Sequence, residues 1–206
     1  MQRVLSPLVA LTAGSAVMLS NHPALAHGLA SGGVTAGLSH PLLGLDHLAM
    51  LMAVGTAAAL IAPQLLLWAL GGAAIGAALG SSGFTVAAAD VLAALAIAAL
   101  GALVLVAGNP GKTSNADGLT TLSGAVVGGG LSIHAMLHGL EAPKDSSTLL
   151  WWSGALLSSA LVCGGAYLLV KKLPVSAGKA VALALLAIGG WLALAPLGLL
   201  TGGAGA

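Results

Sequence analysis

The sequence predicts an all-α membrane protein, a polytopic helix bundle of about six transmembrane helices that follows a cleavable signal peptide. Hydrophobic residues make up 58% of the 206 residues and charged residues only 5%, whereas soluble domains carry about 25% charged residues. The apolar residues fall into stretches of about 20, the length that crosses a hydrocarbon core. These observations exclude a soluble globular protein, which would need a polar shell.

Residues 1–26 are predicted to be an export signal. Arg3 supplies a short positive segment, residues 4–19 are apolar, and residues 24–26 (Ala-Leu-Ala) match a small-x-small cleavage site. An uncleaved first span is the alternative. Cleavage would leave His27 as the mature N-terminus outside the cytoplasm, followed by one transmembrane domain over 27–206.

Six further apolar stretches are separated by short breaks that are rich in glycine, proline, serine or charge. They are predicted at 38–61, 64–80, 85–107, 119–140, 149–170 and 180–200. The second stretch is the shortest, and its glycines at 72, 76 and 80 recur every four residues. That spacing favours close packing against another helix, because small residues let two backbones approach.

The distribution of lysines predicts the orientation independently. If the signal is cleaved, the loops at 108–118 and 171–179 face the cytoplasm, and together they contain four lysines, while the outer loops contain only Lys144. Cytoplasmic loops of membrane proteins are enriched in Lys and Arg. We therefore expect a multi-pass protein of the bacterial inner membrane with its mature N-terminus outside.

The first mature span contains an unusual group of polar side chains. Ionisable residues inside a span are costly and therefore indicate function. His40 and His47 are seven residues apart, about two helical turns, and so lie on one face. Asp46 could bind a metal directly or orient an imidazole. Met50, about one turn after His47, is a candidate for the ion path through its thioether, or it could simply pack in the core.

A second group lies at the end of the fourth span. His134, His138 and Glu141 recur about once per turn and form a stripe, and two such imidazoles near a carboxylate suit a divalent transition metal. Glu141 could equally be a solvated residue at a helix end. Asp90, in the first turns of the third span, is either a candidate for the ion path or a charge that complements the helix dipole.

Under the predicted topology both groups fall in the outer half of the membrane, where His27 would also lie and could chelate the ion through its α-amino group and imidazole. This shared depth predicts one metal or proton site. Its five principal members are His40, Asp46, His47, His134 and His138. Imidazole with carboxylate suits nickel, cobalt, zinc or iron, and a chain whose single cysteine is Cys163 does not offer a thiolate-rich copper(I) site.

These motifs resemble those of the HupE/UreJ family of nickel and cobalt permeases. The string His40-Pro-x-x-Gly-x-Asp46-His47 is similar to the signature of the family's first span, and His134-x-x-x-His138-Gly-x-Glu141 is similar to its second histidine motif. The His-Gly pair that begins at residue 27 also fits. The resemblance implies secondary uptake of nickel or cobalt, carried out by the motif His and Asp residues, and a link to hydrogenase, urease or cobalamin metal supply.

The chain also departs from the pattern that the resemblance implies. Relatives often carry a histidine in the fifth span, where this chain has Cys163, and no histidine follows His138. The second motif of relatives is often richer in histidine as well. These differences bear on which metal is moved, and they leave Cys163 as a candidate for the ion path or for a substituted ligand.

The resulting expectation is a permease, not an enzyme, with a divalent metal ion and the lipid bilayer as its partners. We expect no permanently bound cofactor and, because no basic cluster exists, no nucleic-acid partner. No P-loop string occurs in the sequence, which favours secondary transport. Two alternatives remain: a membrane-embedded zinc hydrolase that uses three histidines, Asp46 and Ser132 around an activated water, and an accessory or sensor protein that binds metal without moving it.

Overall fold

The computed structural model describes residues 32–107 and 116–197. The predicted signal peptide, its cleavage site and His27 lie outside the described residues. Within the two described ranges the chain forms seven α-helices and a short 3-10 turn, with no β-strand. The helices are α1 (Val34–Leu43), α2 (Leu45–Leu60), α3 (Leu65–Ser81), α4 (Ala89–Ala107), α5 (Ala116–Glu141), α6 (Thr148–Lys172) and α7 (Val175–Leu194), and the 3-10 turn is Ala195–Leu197.

Four of these helices, α4 to α7, are long and apolar enough to cross a membrane. The pair α1 and α2 meets the same criterion only when taken together, which gives a fifth span if the bent pair counts as one. Helix α3 is apolar but has 17 residues. The all-α, polytopic membrane fold is thus confirmed, and the count of six spans stays a prediction.

The outer surface of the bundle is apolar, as expected of helices that face lipid. Leu149 is 79% exposed, Leu67 71% and Leu161 65%, whereas soluble monomers rarely expose large contiguous apolar patches. Small residues are buried instead, and α2 is the clearest case, since every residue from Ala53 to Ala58 is buried. Helix–helix contact in lipid depends on such small side chains because burial from water supplies little driving force.

The predicted glycine ridge of the second stretch is confirmed. Helix α3 packs along α5, and a Cβ atom added at any of the three glycines would overlap the backbone of α5. The contacts are Gly72 on Gly128, Gly76 on Ser132 and Gly80 on Met136.

The first predicted span, 38–61, is not a single straight helix. Helices α1 and α2 meet at an angle of 81°, and the joint is Gly44, whose backbone is extended (φ −95°, ψ 129°). Pro41 lies inside α1, and a proline provides no N–H for the carbonyl four residues earlier, which weakens the last turn. Pro41 therefore favours a break at this point of the span.

Helix α1 is held in its bent position by α6. Gly37 faces the carbonyl of Trp151, and Gly154 faces the carbonyl of Val34, both at distances too short for a Cβ. The start of α6 therefore lies beside the α1–α2 break. About 30 Å of helix separate Trp151 from Lys171, so the lysine end of α6 lies at the opposite end of the bundle.

Candidate metal centre

The break at Gly44 brings the first polar motif together. His40 precedes the break on α1, while Asp46 and His47 occupy the first turn of α2. A Cβ at residue 44 would overlap His47 Nδ1 and would lie 2.8 Å from Asp46 Oδ1. Glycine is required here for space, since its extended backbone would suit any residue.

Helix α5 presents the second motif to the first. His134 and His138 lie one turn apart near its C-terminal end, with His134 buried and His138 half-buried. The rings of His47 and His134 have centroids 4.6 Å apart, and those of His47 and His138 are 4.1 Å apart. Four of the six histidines in the chain therefore meet at one end of the bundle.

The ring nitrogens of these histidines lie within reach of a common ion. His40 Nε2 is 3.1 Å from His138 Nδ1, and His138 Nε2 is 3.1 Å from His134 Nε2. There are two sets of three residues whose donor atoms all lie within 4.8 Å of one another inside the set. They are His40, His47 and His138, and Asp46, His47 and His134. Because His47 belongs to both sets, the two form one continuous cluster.

The hydrogen bonding in the cluster leaves some of its ring nitrogens free to bind a metal. His47 Nδ1–H donates to Asp46 Oδ1 at 2.9 Å, an arrangement that fixes the ring and directs the Nε2 lone pair away from the carboxylate. His47 Nε2 and His134 Nδ1 are buried without a hydrogen-bond partner among the described residues. Buried polar atoms are normally paired, so two orphaned imidazole nitrogens in one cluster fit a cation-binding role.

The helix ends also favour a cation at this position. His138 lies in the last turn of α5, where the helix dipole places partial negative charge. The first turn of α2 carries the opposite partial charge, and there Asp46 supplies a carboxylate. Asp46 can therefore offset the unfavourable end of one helix while it orients His47.

The remaining predicted residues are distributed differently. Glu141 lies at the edge of the cluster, with Oε2 3.6 Å from His138 Nδ1. Met50 is fully buried about one turn beyond His47. Asp90 is exposed in the first turn of α4, and Cys163 packs against the apolar core, with its carbonyl facing Gly55. Neither Asp90 nor Cys163 belongs to the two donor sets found among the described residues.

Trp151 is a neighbour of the site that the sequence did not predict. Its ring centroid is 5.0 Å from that of His40, at an interplanar angle of 58°, and its side chain is 1% exposed. The indole also packs edge-on against Trp152. It forms an apolar wall behind His40, which limits where that imidazole can move.

An all-helical membrane bundle with a partly buried cluster of imidazoles and a carboxylate indicates a membrane protein of the metal-handling class. The family model described as HupE / UreJ protein matches residues 15–199, so the chain belongs to the HupE/UreJ family, as its motifs predicted. Protein HupE of Rhizobium leguminosarum bv. viciae is 30% identical over 148 residues, which cover 68% of this chain and 73% of that protein. No solved structure shows a significant match.

Proposed function

We propose that the protein is a secondary permease that takes up Ni²⁺ or Co²⁺ through the histidine and aspartate cluster. The observation that carries the proposal is the meeting of His40, Asp46, His47, His134 and His138 at one end of the bundle. The two motifs are about ninety residues apart in sequence, and bringing this many ionisable groups together within a membrane bundle is costly unless a common partner offsets the cost. A divalent cation is such a partner.

The broken first span supports transport over simple metal storage. Secondary transporters commonly bind their ions where a membrane helix is interrupted, because the ends of the two half-helices expose charge and backbone groups to the substrate. Here the interruption at Gly44 lies between His40 and His47. A permease also needs coordination that can be exchanged, and neutral imidazoles provide it more readily than thiolates do.

The lysine distribution supports uptake from outside. Lys171 and Lys172 end α6 at the far end from the cluster, and Lys179 lies near the start of α7. If this lysine end is cytoplasmic, as the positive-inside rule indicates, the cluster opens to the outer side of a bacterial inner membrane. A mature N-terminus at His27 would then begin on the same side as the cluster. The absence of a P-loop string from the sequence favours a gradient or the membrane potential as the driving force.

The decisive experiment measures uptake of radiolabelled nickel and cobalt into proteoliposomes that contain the purified protein. We expect saturable uptake by the wild type and its loss in His47→Ala and Asp46→Asn, with normal yield and helicity. Wild-type rates in His40→Ala, His47→Ala and His134→Ala would refute the proposal. Metal binding without uptake would identify an accessory protein, and lipid-amide hydrolysis by the same preparation would identify a zinc hydrolase.

Asp145→Asn is a suitable carboxylate control for Asp46→Asn. Asp145 Oδ1 accepts hydrogen bonds from the hydroxyl and the backbone N–H (2.8 Å) of Ser147, and these bonds lower the pKa of the Asp145 carboxyl. The residue is exposed in the loop between α5 and α6, where its carboxylate stabilises a turn. Its substitution should leave uptake near the wild-type rate.

A further inference from the structure

The inward-facing stripe of α5 that carries His134 also contains a buried hydroxyl. Ser123 lies eleven residues before His134, which is about three helical turns and about 16 Å along the helix. Positions separated by eleven residues share one face of a helix. Val127 and Gly130 complete the stripe between them, and all four residues are buried.

This face of α5 points toward α2 and α4. A Cβ added at Gly130 would touch Ala96 of α4 at 2.6 Å and Met50 Cε of α2 at 3.6 Å. His134, at the outer end of the same stripe, meets His47 of α2. Ser123 therefore lies along the seam that continues from the cluster toward the lysine end of the bundle.

The hydroxyl of Ser123 is unusual because it does not bond to its own helix. Serine and threonine in helices commonly donate to a carbonyl one turn earlier, as Thr121 does to Asp117 at 2.9 Å and Ser158 does to Gly154 at 3.2 Å. Ser123 is 0% exposed, and its Oγ has no hydrogen-bond partner among the described residues. A buried hydroxyl without a hydrogen-bond partner can use its oxygen to coordinate a cation that moves along this face of the helix.

We propose that Ser123 forms an inner binding station for the divalent cation, on the inward side of the histidine cluster. This inference rests on the proposed permease function. Between the cluster and the lysine end, the seam is lined mainly by apolar side chains such as Val54 and Val127, which cannot replace the solvation of a cation. An uncharged oxygen is a weak ligand, so it stabilises the ion after its release from the imidazoles without retaining it.

The other unpartnered buried hydroxyl makes the proposal specific. Thr56 Oγ1 is also 0% exposed and without a partner among the described residues. It lies nine residues after His47, about 13 Å along α2, and hence at a depth similar to that of Ser123. Nine residues correspond to about two and a half turns, so Thr56 lies on the face of α2 opposite to His47. A path that follows the His134 face of α5 passes Ser123, whereas Thr56 lies on the side of α2 away from His47.

The test compares nickel binding with nickel transport in full-length protein. Ser123→Ala should bind Ni²⁺ in detergent with a Kd within about twofold of the wild type, while its initial rate of uptake into proteoliposomes falls about tenfold or more. Ser123→Thr, which keeps the hydroxyl, should retain most of the rate. Ser158→Ala is the matched control, because that buried hydroxyl is satisfied within its own helix.

Each other result would overturn the proposal. Wild-type uptake in Ser123→Ala would show that the hydroxyl is not on the path, and equal defects in Ser123→Ala and Ser123→Thr would show a packing role. A defect in Thr56→Val with normal uptake in Ser123→Ala would put the path on the other face of α2. If the wild type moves neither nickel nor cobalt, the permease function fails together with the inner station. Normal wild-type transport with an unaffected Ser123→Ala refutes the station alone.

Discussion

Gly44→Ala is a substitution that should separate metal binding from folding. The backbone at residue 44 is extended and accepts alanine without strain. The new Cβ would overlap His47 Nδ1 and approach Asp46 Oδ1 to 2.8 Å, so these side-chain ends must move. Both belong to flexible side chains, and the bundle can therefore accommodate the methyl group.

The substitution should weaken metal binding more than it weakens folding. Displacing the two side chains breaks the 2.9 Å hydrogen bond between them, and this bond is the contact that orients the His47 imidazole. Loss of groups that orient a metal ligand typically weakens metal affinity by about 10–100-fold. We expect a Ni²⁺ affinity lower by that factor, measured by isothermal titration calorimetry, with a melting temperature close to that of the wild type.

Two other glycines supply the controls for this measurement. A Cβ at Gly71 would meet nothing within 4 Å, whereas a Cβ at Gly76 would overlap the backbone of Ser132 in the α3–α5 contact. Gly71→Ala should change neither binding nor stability, and Gly76→Ala should lower the melting temperature because backbone cannot yield as a side chain does. Wild-type nickel affinity in Gly44→Ala would refute the assignment of Asp46 and His47 to the site.

Three further predictions concern topology, processing and pH. In a Cys163→Ala background, an impermeant maleimide applied from outside should label Lys144→Cys and spare Ser176→Cys, and the reverse pattern would invert the orientation. Because a cleaved signal should leave His27 first, N-terminal sequencing of the membrane-purified protein should begin there, and an intact initiator methionine would contradict cleavage. Since an imidazole must be neutral to bind metal, protons and metal compete for the same ring nitrogens, so nickel uptake should fall as the external pH is lowered, and uptake that rises on acidification would argue against imidazole ligands.

Features that depend on local pattern were predictable from the sequence. Long apolar stretches identified the helices, the four-residue glycine spacing identified the α3–α5 contact, and the two polar motifs identified the family. The contact between His47 and His134 was also predictable, because two polar motifs at the same depth of a small helix bundle must lie close together. Each of these features depends either on a pattern that repeats along one helix or on the depth of a residue in the membrane.

Features that depend on how one helix rests on another were not predictable. Pro41 within an apolar stretch is compatible with a mild kink, whereas the 81° angle accompanies the packing of α1 on α6 through Gly37 and Gly154, which no local pattern reveals. The contact of Trp151 with His40 is a result of that packing. The unpartnered state of Ser123 likewise depends on its surroundings, since the sequence favours a bond to the preceding turn.

In the proposed permease, the angle at Gly44 would determine whether His40 reaches an ion held by the other three histidines. His40 is the one histidine of the four that lies before the joint, about 6 Å of helix from Gly44, so a bend of about 10° would carry its imidazole through about 1 Å. Metal–ligand distances tolerate only about 0.2 Å. Such a bend would detach His40 from a shared ion, while the spacing of His134 and His138, which share one straight helix, would not change. The affinity for the ion would then depend on how the ten-residue helix α1 packs against α6.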